Sequence, residues 1–304
     1  MLLIRLIKRN MLVYVRDRAN IFFSLLSMII IIGLMVVFLG KMNADNVVNL
    51  LNEYGGGDRN AAADLENAQQ LIILWTLAGI VVVNSVTITL SMVGIMVEDE
   101  AHKKLSSFFV SPVKRTVFVL GYVIAAILMG IIMCTLTFAL GEAYIAVTGG
   151  DLLTPAQMLQ VIFYIILNVF TSASLVFLIA NFVHSLSAFS GLSTVIGTIV
   201  GFIAGIYLPI GMLPEKVQMV LKCFPLFYGC SLLRELFTES IIIKTFVNCP
   251  EQLINSYKET MGITVLYQDN IVPHNVKVAI LVISGIIFIG ISVIVQRRRN
   301  VMNR

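Results

Sequence analysis

The clearest chemical pattern in the chain lies over residues 97–115. Three consecutive acids, Glu98, Asp99 and Glu100, are followed by Leu105, Phe108 and Phe109, then by Ser111-Pro112 and Lys114-Arg115. Acids at the start and bases at the end complement a helix dipole. Leu105, Phe108 and Phe109 stand at i, i+3 and i+4, which gives one apolar face. Proline disfavours helical geometry in the residue before it, so Ser111-Pro112 ends the helix. The expected chemistry is docking: a short amphipathic helix whose apolar face meets lipid or a soluble partner. A plain surface loop has no need of adjacent phenylalanines.

Residues for bond-making chemistry do not assemble. No Gly-x-x-x-x-Gly-Lys-Ser/Thr phosphate loop occurs, and Gly55-Gly56-Gly57-Asp58 reads as a flexible turn. His-Glu-x-x-His is absent, and His102, His184 and His274 fall outside the apolar runs, away from any intramembrane serine. Cys134 lies within an apolar run and reads as packing. Cys223, Cys230 and Cys249 follow without Cys-x-x-Cys spacing, which leaves open one disulfide among the three and at least one free thiol. The chain is therefore expected to be no enzyme and to bind no metal or cofactor of its own.

The elements that position these residues follow from composition. The 304 residues are 58% hydrophobic and 12% charged, with a mean hydropathy of +0.94. A soluble domain carries about 25% charged residues, so an integral membrane protein of all-α class is expected. Six apolar runs are long enough to cross a bilayer: 21–39, 71–97, 117–147, 158–183, 188–213 and 276–295. The first is too long for a signal peptide and lacks a small-x-small cleavage site, so it reads as a retained span. The net charge of +4 sits beside these runs and reads as positive-inside topology, not nucleic-acid binding. Arg5, Lys8, Arg9, Arg16 and Arg18 precede the first run, Lys103, Lys104, Lys114 and Arg115 follow the second, and Arg297, Arg298, Arg299 and Arg304 close the chain. With six spans these regions share the cytoplasmic side, so a multi-pass plasma-membrane protein with both termini in the cytoplasm is expected. The first loop is mostly acidic and the loop at 149–157 has no Lys or Arg, as expected outside.

Residues 1–18 place Arg5, Lys8, Arg9 and Arg16 on one face, with Leu2, Leu3, Leu6 and Val13 largely elsewhere. This describes an interfacial amphipathic helix. After the fifth run, Pro209 and Pro214 break the helix, and 217–237 is apolar but interrupted by Lys222, Pro225 and Arg234. A re-entrant helical hairpin within the outer segment 214–275 fits this pattern better than a seventh span, which would put the arginine-rich tail outside. Asn84, Thr87, Asn168 and Glu142 are the polar residues within the runs that could line a pathway. The alternative for the first three is hydrogen bonding between helices, and for Glu142 contact with water near a helix end.

Read in order, Glu98, Leu105, Ser111, Pro112, Arg115 and Gly121, then Gly205, Tyr207, Pro209, Leu213, Pro214, Pro225, Leu226, Tyr228, Leu233 and Arg234, resemble the type-2 membrane permease family of ATP-binding-cassette exporters. The resemblance covers essentially the whole chain as a single transmembrane permease domain, 1–304. It implies that Glu98, Glu100, Leu105, Phe108, Phe109, Ser111, Pro112 and Arg115 form a coupling segment at 98–115 for a separate nucleotide-binding subunit. That subunit would hold the ATP and Mg. It implies a second permease copy or a related permease as partner, and an outer cap built from Pro209, Leu213, Pro214, Pro225, Tyr228 and Arg234. An amphipathic drug, antimicrobial peptide or lipid-like molecule would suit a pathway embedded in the lipid bilayer. The stretch 241–275 is longer than many members need. Two other classes stand beside this one. A secondary transporter would want charged coupling sites near the midplane and repeated halves, neither of which is evident. A membrane sensor or immunity protein is the other.

Overall fold

The structure, a computed structural model, describes residues 2–19, 21–22, 26, 29, 33, 40–56, 59–102, 115–183, 185–267 and 270–302. Its helices, in chain order, are α1 (Leu2–Arg16), α2 (Gly40–Tyr54), α3 (Ala61–Ala101), α4 (Arg115–Val147), α5 (Pro155–Ala180) and α6 (Leu186–Ile203). A 3₁₀ turn (Ile210–Met212) leads to α7 (Glu215–Lys222), α8 (Pro225–Thr245) and α9 (Glu251–Thr260). A two-residue ribbon, β1 (Leu266–Tyr267) antiparallel to β2 (Asn270–Ile271), precedes α10 (His274–Met302). The ribbon is the one departure from an all-α fold among the described residues.

Helix α3 is the hub. Asn60 caps it by accepting hydrogen bonds from the Ala62 and Ala63 amides. At 41 residues it is roughly 60 Å long, well beyond the hydrocarbon thickness of a bilayer. It packs against α1, α2, α4, α5, α6 and α8, so it buries most of its apolar window, whereas α6 and α10 leave most of theirs open. Five helices among the described residues are long and apolar enough to cross a membrane: α3, α4 over Val117–Val147, α5, α6, and α10 over His274–Val295. They answer to the second through sixth apolar runs. The first run, 21–39, lies largely outside the described residues.

The ends of these helices correct several expectations. The fifth run was expected to continue to residue 213 and to break at Pro209. Instead, α6 stops at Ile203. The Gly205 amide bonds to Phe202 O and the Ile206 amide to Gly201 O, while Gly205 adopts φ +61°. This is the paired closure of a helix that ends on a left-handed glycine, and it precedes both prolines. The first loop, read from its charges alone, contains α2, because Ala44, Val47 and Leu51 make a buried stripe against α3. Pro225 does not interrupt a helix. It occupies the first turn of α8, where its missing N–H is no loss. Helices α7 and α8 lie within 214–275, and α8 is enclosed by α3, α5 and α10. All four cysteines are free, so no disulfide joins Cys223, Cys230 and Cys249. Cys230 is buried within α8, and Cys223 is exposed near the end of α7.

Candidate functional site

The charged residues with the most defined geometry lie toward the two ends of α3. At one end, Asp99 sits in the last helical turn and is 2% exposed. An acid there opposes the helix dipole. The three acids were expected to open the coupling helix, where the dipole would favour them. Instead, they close α3, with Glu98 and Glu100 exposed and Asp99 turned inward. Asp99 is compensated from α1. Arg9 Nη1 donates to Asp99 Oδ2 at 2.5 Å, and the Tyr122 hydroxyl of α4 donates to the same oxygen at 2.8 Å. Arg9 Nη1 also reaches Tyr122 Oη at 3.1 Å and Asn10 Oδ1 at 3.0 Å. The hydrogen bond to Asp99 raises the Arg9 pKa above its already high ordinary value, against the opposing effect of burial.

This contact is possible because α1 turns one stripe inward. Leu6, Asn10 and Tyr14 are buried at i, i+4 and i+8, and Gly121 admits Leu6 where a Cβ would stand 3.1 Å from Leu6 Cβ. Arg9, expected on a solvated basic face with Arg5, Lys8 and Arg16, borders that stripe and points to Asp99 instead. This latch joins the two helices that flank residues 103–114, since Asp99 lies in the last turn of α3 and Tyr122 in the second turn of α4. Leu105, Phe108, Phe109, Ser111 and Pro112 lie outside the described residues. Arg115 begins α4.

Toward the other end, Arg234 of α8 is enclosed at 1% exposure, with no carboxylate against it among the described residues. Its guanidinium stacks over the Trp75 ring of α3, 4.1 Å from the centroid. Nη2 donates to Ala204 O at 2.5 Å and Nη1 to Met261 O at 3.2 Å. Ala204 and Met261 are the C-cap residues of α6 and α9. The charge is therefore met by two helix C-termini, whose carbonyls carry the negative ends of the helix dipoles, and by an aromatic face. Each cap is followed by a glycine at positive φ, Gly205 at +61° and Gly262 at +62°. A Cβ on either would stand 3.1–3.2 Å from a guanidinium nitrogen. Trp75 Nε1 shares the Met261 carbonyl at 2.7 Å.

The other residues expected in the outer cap are placed around this clamp. Pro209 is buried and precedes the 3₁₀ turn, Leu213 ends that turn, and Pro214 precedes α7. Tyr228, half-buried, lines a separate cavity of about 540 Å³ with Met219, Lys222 and Tyr267. The polar residues of the spans are scattered. Asn84 Nδ2 donates to Thr137 Oγ1 at 2.9 Å between α3 and α4. Thr87 reaches only its own helix, through Asn84 O. Asn168 Nδ2 donates to Tyr164 O at 2.9 Å and to Gly229 O at 3.5 Å. Glu142, expected near water, is buried and accepts the Leu153 amide at 3.3 Å. The contacts of Asn84, Asn168 and Glu142 join helix to helix or helix to loop, while that of Thr87 stays within α3. The Arg9–Asp99 and Arg234–Trp75 pairings could not be read from spacing. The one visible signal was a charge beside or within an apolar run, which demands a partner.

Comparison with known proteins fits this arrangement. No curated protein matches the chain. The family model described as ABC-2 type transporter matches residues 1–238, from α1 through the Arg234 clamp and into the second half of α8. The chain therefore belongs to the ABC-2 type transporter family, the membrane permeases of ATP-binding-cassette transporters.

Proposed function

We propose that the chain exports an amphipathic drug, antimicrobial peptide or lipid-like molecule from a bacterial cell, driven by a separate nucleotide-binding subunit. In this reading six helices cross the cytoplasmic membrane with both termini inside, residues 21–39 making the first crossing. Helix α1 lies along the inner surface, and α7–α8 dip into the membrane from outside. The ATPase docks on the coupling segment, where Phe108 and Phe109 supply apolar anchors and Glu98 and Glu100 supply charge. ATP and Mg belong to that subunit. A second permease copy, or a related one, completes the pathway.

The observation that carries this reading is the Arg9–Asp99–Tyr122 latch. It ties α1, α3 and α4 together at the base of the coupling segment, so a push on that segment moves three helices as one body. ATP can drive transport only by favouring one arrangement of the permease over another. A rigid base turns movement of the docked subunit into such a bias. The test is co-purification of the tagged permease from its native membrane in mild detergent, followed by an ATPase assay. A bound nucleotide-hydrolysing subunit stimulated by substrate is the expected result. A permease that purifies alone would shift the reading to a secondary carrier or a sensor.

A further inference from the structure

A cavity of about 440 Å³ lies between α5, α8, α9 and the start of α10, within the size range of small-molecule sites. It is separate from the Arg234 clamp and from the latch, and its walls carry both signs of charge. Glu235 and Glu239 stand one turn apart on α8, and Lys258 of α9 lines the same cavity. The deeper ionised groups are already paired. Lys277 of α10 is fully enclosed. Its ammonium contacts Glu235 and also donates to Ser231 Oγ at 2.9 Å, while the Ser231 hydroxyl donates to Ile263 O at 2.6 Å. On the opposite wall the Tyr164 hydroxyl and His274 Nε2 lie 2.9 Å apart. Four elements therefore fix the shape of the site without a ligand.

Two charges remain. Among the described residues neither Glu239 nor Lys258 has an ion-pair partner, although both line the same cavity. A lone anion here would leave Lys258 matched but face the Glu239 carboxylate, and a lone cation would match Glu239 but face Lys258. A molecule with one charge of each sign satisfies both. Lys258, Thr264 and His274 together offer more hydrogen-bonding positions than the two oxygens of a carboxylate use, which favours a phosphate. We propose that this cavity binds a small zwitterion, its ammonium held at Glu239 and its phosphate at Lys258. Free glycerophosphoethanolamine and the head group of phosphatidylethanolamine share this chemistry, each carrying one ammonium and one singly charged phosphodiester. The proposal goes beyond the exporter reading and does not depend on the ATPase.

The test is calorimetric titration of glycerophosphoethanolamine into the full-length chain in phosphatidylglycerol nanodiscs, with no ATPase subunit present. Saturable binding is expected. It should weaken roughly tenfold or more in Glu239→Gln and in Lys258→Gln, as loss of one charged hydrogen bond entails. It should be unchanged in Lys222→Gln, which lines the other cavity. Glu239 is exposed and Lys258 half-exposed, so both variants should fold, and unchanged emission from the single tryptophan, Trp75, checks this. Nanodiscs containing phosphatidylethanolamine separate the two sources. Loss of the titration signal there identifies the lipid head group as occupant, whereas an undiminished signal identifies the free molecule. Absence of saturable binding in phosphatidylglycerol nanodiscs, or binding that survives both variants, overturns the proposal. Neither result would bear on whether the permease recruits an ATPase.

Discussion

Replacing Arg9 with methionine takes the guanidinium away from a carboxylate whose side chain is 3% exposed, while Arg9 itself is 35% exposed. The partners are therefore unequal. In Asp99→Asn the orphaned cation still reaches water, and the new amide can still accept from Tyr122, so the cost is about 1–2 kcal/mol. In Arg9→Met the enclosed Asp99 keeps its charge at a helix C-terminus and Tyr122 as a donor. Breaking a buried pair from one side costs about 3–5 kcal/mol. Water access at Arg9 brings this to roughly 2–4 kcal/mol, still the larger effect. The double variant removes the stranded charge, and should be more stable than Arg9→Met alone. Unfolding of the four proteins in one detergent forms a double-mutant cycle that reads the coupling directly. Equal losses for the two single variants, or a double variant no better than Arg9→Met, would refute the claim that Asp99 depends on Arg9. The same variants should lower substrate-stimulated ATPase activity of the assembled transporter more than its basal activity.

Phe108→Ala combined with Phe109→Ala should weaken co-purification with the ATPase while the permease still inserts; normal assembly would remove the docking role. Cysteines placed at Asp58 and Asn270 should label with an impermeant thiol reagent in intact cells, and one at Lys104 should not; the opposite pattern would invert the topology. Gly262→Ala should destabilise the chain by about 1–2 kcal/mol for the left-handed conformation alone, with more from crowding Arg234. A thermal midpoint equal to wild type would show that the clamp is looser than its geometry. Asn84→Leu should cost stability in the absence of substrate, because Thr137 loses a buried partner. A variant of full stability but altered substrate range would return Asn84 to the pathway.

Long apolar runs made most helices legible, since hydrophobic length is a direct consequence of bilayer thickness. Helix ends were less legible. Gly205 ends α6 through hydrogen bonds set by a left-handed glycine, and nothing in Gly205-Ile206-Tyr207-Leu208-Pro209 says that the glycine acts before the proline. The acids at 98–100 fit either a helix start or a helix end. The choice was made by Arg9, ninety positions away, and such a pairing leaves no periodic trace. Arg234 was marked by its family motif, yet its partners are carbonyls, Ala204 O and Met261 O, which any residue type could supply. The cavity at Glu239 and Lys258 was invisible for the same reason, because its walls come from segments distant in sequence.

Helix α3 joins the two arginines mechanically. Trp75 and Asp99 are on one unbroken helix, about 36 Å apart at 1.5 Å per residue. Stacking of Arg234 on Trp75 resists sliding, because translation would pull Trp75 Nε1 off the Met261 carbonyl. A tilt about that point strains it far less. The Arg234 end then acts as a fulcrum and the Asp99 end as the long arm of a lever. A swing of about 5° carries Asp99 roughly 3 Å sideways, so a small angular change at the pivot corresponds to a stroke of about a hydrogen-bond length at the other end.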